Sequence, residues 1–345
     1  MGCSSRSALL SAPAYHEQRL AWRAALEAAD AGGSDRISRL GALYADDVVW
    51  HGSHPFNGQR GRNAVMAAFW LPLLDAVPDL QRVDDVVLAG EWKSGAWVGA
   101  TGHYVGTFRR PWLGIPATGG SVALRYGEFA RLETGRVCET YVIVDVLDVM
   151  RQAGVWPLAP PLGNVDRVPP PMTRDGVIER PAPAAESARS LALVEAMIAG
   201  LMEFDGRSLH SMRQERFWDV ERMMWYGPAA IGTCRGLKGF QDVHQRPFLH
   251  AFPDRVGGDH KCRIGEGAYV GSTGWPSIRA THTGGGFIGM PATGKPVTMR
   301  VMDFWRRAGE RLVENWVFID VPDLLLQIGF DVFAREAERR RAAGA

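Results

Sequence analysis

The chain has 345 residues, of which 46% are hydrophobic and 22% charged, with a formal net charge of +1. That length accommodates about two domains. The near-zero charge gives no field to recruit nucleic acid or an anionic membrane, and no apolar run approaches the roughly 20 residues that span a bilayer.

The start, MGCSSRSALLSAP, has too short an apolar stretch for a signal peptide, and Arg6 breaks a myristoylation pattern. Tyr15 to Asp30 has helical spacing of its apolar residues. A short helix and a strand ending at Trp50 follow, then a helix from Gly61 to Ala76 interrupted by Pro72. Val86-Val87-Leu88, Ala96 to Phe108, Val122 to Leu132 and Arg136 to Val146 are rich in β-branched and aromatic residues and bounded by glycine, as strands are. Pro157 to Ala188 is proline-rich and reads as a linker with parts laid along a domain surface. The same order then recurs: a helix from Ala188 to Phe204, a strand at Trp225, a helix from Leu237 to Ala251 with Pro247 inside, and a second set of strands.

The recurrence holds one offset. Subtracting 175 places Trp225 on Trp50, Pro247 on Pro72, Arg300 on Arg125, Phe304 on Phe129, Arg306 on Arg131, Glu314 on Glu139 and Asp320 on Asp145. GMPATGK, from Gly289, falls on GIPATGG, from Gly114. A unit this long is a duplicated domain, not a solenoid repeat. The expected division is residues 1–156, a linker over 157–188, and residues 189–345. Helices followed by a run of antiparallel strands predict an α+β class: two tandem cones, each a curved antiparallel sheet with helices closing a pocket.

The stretch from Thr281 to Gly329 carries a His-Thr-Gly, the Gly-Met-Pro-Ala-Thr-Gly-Lys turn, and an Asp shortly before Gln-x-Gly. It resembles the SnoaL-like polyketide cyclase family of the NTF2-like superfamily, and the first copy repeats the pattern more loosely. The resemblance implies an Asp on the last strand acting as general acid/base in an aldol ring closure, matching Asp145 and Asp320. The His that some members carry two residues earlier is replaced here by Ile143 and Phe318.

Strand alternation puts Glu139, Tyr141, Ile143 and Asp145 on one face, and Glu314, Trp316, Phe318 and Asp320 on its counterpart. Taken as the concave face, these surroundings desolvate the carboxyl and raise its pKa above the ordinary value, which suits proton exchange with a carbon acid. The competing reading is that each Asp caps the helix that follows. His103 and His282, each shortly before the Pro-Ala-Thr-Gly turn, are candidates to orient the Asp or polarise a carbonyl. They do not share the common offset. Trp225, Tyr226, Trp50 and His51 are expected at the pocket wall with Tyr141, Trp316 and Phe318. Arg131 and Arg306 would bind an anionic substrate group or pair with Glu139 and Glu314. Val142, Val144, Val317 and Ile319 fall on the opposite face and predict sheet-against-sheet packing of the copies as an internal pseudo-dimer, with a further homodimer as an added possibility.

Cys3, Cys138, Cys234 and Cys262 share no metal-type spacing and read as free thiols in a reducing, cytoplasmic setting. Lysine occurs only at 93, 238, 261 and 295, an arginine bias that points to a GC-rich bacterial genome. No metal or nucleotide motif is present, so no cofactor is expected. The reading is a cofactor-free enzyme acting on a small hydrophobic carbonyl compound, with a hydrolase or dehydratase, and a non-catalytic ligand-binding module, as alternatives. The second copy keeps the family pattern more fully and is expected to be the more active.

Overall fold

The computed structural model describes residues 13–166 and 168–342; residues 1–12 of the opening stretch read above, with Cys3 and Arg6, lie outside them. Each copy is one mixed sheet wrapped by helices. The first contains β1 (Tyr44–Gly52), β2 (Gly58–Arg60), β3 (Gln81–Trp92), β4 (Gly95–Thr107), β5 (Ser121–Glu133) and β6 (Arg136–Val144), in the spatial order β2-β1-β6-β5-β4-β3. The second contains β7 (Met224–Tyr226), β8 (Thr233–Arg235), β9 (Val256–Gly257), β10 (His260–Glu266), β11 (Tyr269–Thr281), β12 (Pro296–Ala308) and β13 (Arg311–Ile319). Its order is β10-β11-β12-β13-β7-β8, with β9 beside β11. The expectation of purely antiparallel sheets is corrected at one seam: the first strand of each copy runs parallel to the last. The helices between them make that crossover possible.

The elements form where local chemistry favours them. Ala14–Asp30 and Ala184–Leu201 are the opening helices, each starting one residue after a proline (Pro13, Pro183). The helix that follows the first strands of each copy passes through a five-residue π turn, Met66–Trp70 or Gln241–Gln245, immediately before the turn that holds Pro72 or Pro247. Proline lacks an N–H and crowds the carbonyl four residues back, and the widened turn absorbs that defect without ending the helix. The stretch 157–183 is laid along both copies. It exchanges backbone hydrogen bonds through Gly176 and Ile178 with Val87, and through Gly163 and Asn164 with Ile231 and Thr233.

The two sheets pack face to face, and the packing is an internal two-fold. Phe129 and Phe304, equivalent by the 175 offset, stack on each other with centroids 5.1 Å apart. Asp145 Oδ2 accepts from the Ala229 N–H at 2.8 Å and Asp320 Oδ2 from the His54 N–H at 2.9 Å. Positions 54 and 229 are themselves equivalent, so residue i meets j of the other copy and j meets i, the signature of an isologous interface. The approach is close: a Cβ on Gly127 would lie 2.9 Å from the Phe318 ring.

The face assignment made from alternation is inverted. Tyr141, Ile143, Tyr226, Trp316 and Phe318 belong to the cluster between the sheets. Val142, Val144, Val317 and Ile319 belong to the interiors that the helices close. Side chains alternate with period two, so choosing the wrong inward residue moves the whole set to the other side. The sheet-on-sheet arrangement therefore exists, but through the opposite residues.

Candidate active site

The interior of the second copy holds a cavity of about 540 Å³ between its sheet and helices. Its walls are mostly apolar: Met197, Trp225, Phe240, Phe248, Met299, Val301 and Ile319. Trp225 stacks on His244 with centroids 4.6 Å apart. Burial, with the Arg255 charge adding to it, pushes the His244 ring down to about 3, so it is neutral at ordinary pH.

Asp303 of β12 stands in this wall with Asn315 of β13, whose Nδ2 donates to Asp303 Oδ1 at 3.2 Å. Burial drives the Asp303 carboxyl up to about 7, against the Asn315 hydrogen bond and the Arg263 charge, which pull it down. Arg263 makes a long contact to Ser272 at 3.4 Å and faces His260 Nε2 at 3.2 Å. Among the described residues, four buried polar atoms on cavity-lining side chains have no hydrogen-bond partner: His244 Nδ1, Gln245 Oε1, His260 Nδ1 and Trp305 Nε1. Buried polar atoms are ordinarily paired, and these four stand on side chains of the cavity wall.

The first copy has the same wall and fills it. Glu128 stands where Asp303 stands, and Arg82 donates to it at 2.8 Å and to Asp84 at 2.8 Å. The Arg82 guanidinium lies 4.9 Å from the Trp22 ring centroid and 4.4 Å from that of Tyr126. Strand register and the 175 offset place Gly257, Met197 and Val301 where Arg82, Trp22 and Tyr126 stand. Three large side chains are thus replaced by smaller ones in the second copy, Trp by Met, Arg by Gly and Tyr by Val, and all three replacements line its cavity.

The residues singled out from sequence distribute as follows. Asp145 and Asp320 cap the helices Val146–Gln152 and Val321–Ile328, accepting from Asp148 N and Asp323 N, and tie the copies together with their other oxygens. Arg300 adds a bond to Asp320 at 3.0 Å. Burial raises Asp320 to about 7 and Asp145 to about 6, with the neighbouring Asp323 and Asp148 charges adding to it and Arg300 and Arg125 opposing. The upward direction expected for Asp320 is present, but the medium that causes it is the interface, and the opposing cation is Arg300. Arg306 is engaged by Glu314, which also accepts from Tyr226 Oη at 3.2 Å. Arg131 pairs with Glu133 and, at 3.4 Å, with Glu139.

His51 stacks on Tyr141 at 4.4 Å on the interface side, and Trp50 packs on Phe69 at 5.6 Å inside the first copy. His282 faces Thr293 Oγ1 at 3.1 Å and the Phe252 ring. Of the expected pocket walls, Trp225 alone lines the 540 Å³ cavity. His103 and Asp145 are brought together, at a polar cleft between the copies. His103 and His282 are not equivalent: Gly102 and Tyr104 pair with Tyr126 and Leu124, Gly274 and Ile278 with Val301 and Met299, which puts the bulge Trp275-Pro276-Ser277 at the His103 position.

Asp303 and Asn315 were not anticipated. The available signal was a single acid inside the apolar run Val301-Met302-Asp303-Phe304-Trp305, a place where an unpaired charge is costly and therefore informative.

The profile of the SnoaL-like polyketide cyclase family matches residues 21–153 and 215–328, one match in each copy. Among solved structures, AclR from Streptomyces galilaeus is 20% identical, covering 42% of this chain and 89% of its own, with a TM-score of 0.35. A SnoaL-like protein from Jannaschia sp. CCS1 is 19% identical over 43% of this chain and 99% of its own, with a TM-score of 0.36. IdmH from Streptomyces antibioticus is 22% identical over 41% of this chain and all of its own, with a TM-score of 0.32. No curated protein matches at a significant level. No helix among the described residues is long and apolar enough to cross a membrane.

Proposed function

The chain belongs to the SnoaL-like polyketide cyclase family in two copies, and from that premise we propose that its second copy is a cofactor-independent acid/base catalyst acting on a small apolar carbonyl compound. Asp303 is the proton-transfer group. The observation that carries this reading is a carboxyl held up to about 7 in the wall of a 540 Å³ apolar cavity, while its counterpart Glu128 is neutralised by Arg82.

In the carboxylate form, Asp303 takes a proton from the carbon next to a carbonyl. The electron pair moves to the carbonyl oxygen as an enolate, whose carbon attacks a second carbonyl of the same molecule. Protonated Asp303 then returns its proton to the alkoxide that results. A carboxyl poised near neutrality is efficient in both directions. Asn315 holds the carboxyl through Oδ1. Arg263, which also faces Glu195 at 3.8 Å, and the unpaired Trp305 Nε1–H line the same cavity and are donors available to a developing oxyanion. The walls supply the apolar contact that a small hydrophobic ligand needs.

The test uses benzoylacetone in heavy water, following exchange of its acidic methylene protons by NMR. Wild type should accelerate exchange, and Asp303→Asn should remove the acceleration while leaving benzoylacetone binding within a fewfold. Binding without any acceleration by wild type would instead make the second copy a ligand carrier. Acceleration that survives Asp303→Asn would remove Asp303 from the role.

A further inference from the structure

We propose that the polar cleft between the two copies is a second binding site, separate from the apolar cavity, and that it takes a small aliphatic amine cation. The cleft encloses about 600 Å³ between the outer face of the first sheet, the linker residues Asn164 to Asp166, and the loop from Gly227 to Thr233.

His103 is the built element. Its side chain lines the cleft yet is only 3% exposed. Its Nδ1 faces Asp85 Oδ2 at 3.1 Å. The carboxylate keeps the ring proton on Nδ1 in the neutral imidazole, which leaves Nε2 as an acceptor. No described residue donates to Nε2.

The rest of the lining is also rich in acceptors. Asp145, Asp148 and Asp166 contribute carboxylates, and a carboxylate oxygen accepts more than one bond. The two arginines that line it among the described residues are already committed. Arg125 donates to the Gly227 and Tyr226 carbonyls at 2.8 and 3.1 Å, and Arg151 to Asp148 at 2.8 Å. A ligand that donates several hydrogen bonds and carries positive charge satisfies this set, whereas a carboxylate or phosphate would meet like charge and lone pairs.

The internal two-fold provides a control. At the equivalent place the strand bulges through Trp275, Pro276 and Ser277 where the first copy has His103 alone, and the Trp275 ring lies 5.0 Å from the Arg300 guanidinium and 5.5 Å from the Tyr141 ring. The protein fills that side with its own aromatic group. The two sides of the internal two-fold therefore differ here, His103 on a regular strand facing the cleft and a bulge carrying Trp275 on the other.

The probe is putrescine, titrated calorimetrically into the full chain at low salt, with the His103 ring signals followed by NMR. The expected result is saturable binding at one site with His103 shifted, weakened at least tenfold by His103→Phe and about threefold by Asp166→Asn, an exposed position that does not endanger folding. Asp303→Asn should leave it unchanged. No saturation at millimolar putrescine, unaltered affinity in both His103→Phe and Asp166→Asn, loss in Asp303→Asn, or competition by acetate would each overturn the assignment.

Discussion

The replacement Asp303→Asn makes a demand on stability as well as on chemistry, and the two have opposite signs. The Asp303 carboxyl rises from an ordinary 3.8 to about 7, chiefly through burial. A group whose folded value lies above its unfolded value contributes stability that is full below about pH 4 and is lost as pH climbs through about 7. The rise corresponds to about 4 kcal/mol as an upper bound at about 1.4 kcal/mol per tenfold. Asp303 keeps some contact with the cavity space, so about 1–3 kcal/mol is the working figure. Asparagine has nearly the same shape and no charge to desolvate. The variant's advantage over wild type should therefore be small at pH 4.5 and grow to about 1–3 kcal/mol at pH 8.5, a gain of the kind seen when a functional site is neutralised. Urea unfolding followed by tryptophan fluorescence at both values, alongside the proton-exchange assay, reads both effects. A variant with the wild-type pH slope, or one less stable than wild type at pH 8.5, would refute the account of a desolvated carboxyl.

Asp320→Asn should cost about 2–3 kcal/mol at pH 4.5 through the lost tie to His54 N and Arg300, a cost that shrinks by pH 8.5 because burial raises this carboxyl too, while proton exchange at the cavity persists in the folded fraction; urea titration and the same exchange assay test this. Arg82→Ala strands Glu128 in the filled interior and should cost about 3–5 kcal/mol, with much of the loss recovered in Arg82→Ala/Glu128→Gln, measured by thermal unfolding. Phe304→Ala removes half of the stack on the internal two-fold and should cost about 3–5 kcal/mol; a loss under 1 kcal/mol would mean the sheets do not depend on that contact.

Much of the fold was legible because it rests on local rules and on repetition. The proline-bearing helices, the glycine-bounded strands and the offset linking Trp50 to Trp225 all follow from chain chemistry. The orientation of the strands was not legible, for a physical reason. Alternation separates two faces but names the inner one only when the other is polar. In β6 and β13 both faces are buried, one against helices and one against the other sheet, so Val317 and Phe318 are equally apolar neighbours. The terminal aspartates then drew the assignment to the wrong side, because a capping carboxyl and a catalytic one look alike in sequence. Asp303 was hidden by the opposite effect: it lies mid-strand, and its partner Asn315 is twelve positions away on the next strand. The constant offset did align Asp303 with Glu128, but whether an acid is free or bridged depends on Arg82, a residue from a different strand.

The sheet-on-sheet contact has a consequence for how the polypeptide is made. Ile143 and Phe318, equivalent members of the interface, are 175 positions apart in the chain. At roughly 5–20 residues per second of synthesis, the outer face of the first sheet stands uncovered for on the order of ten to thirty seconds before its mate emerges. During that interval Trp97, Phe129, Tyr141 and Ile143 form an adhesive surface on a nascent protein. A ribosome stalled after the first copy would hold a domain whose most apolar face has no cover, and crowded neighbouring chains on one messenger would each present the same face to the next.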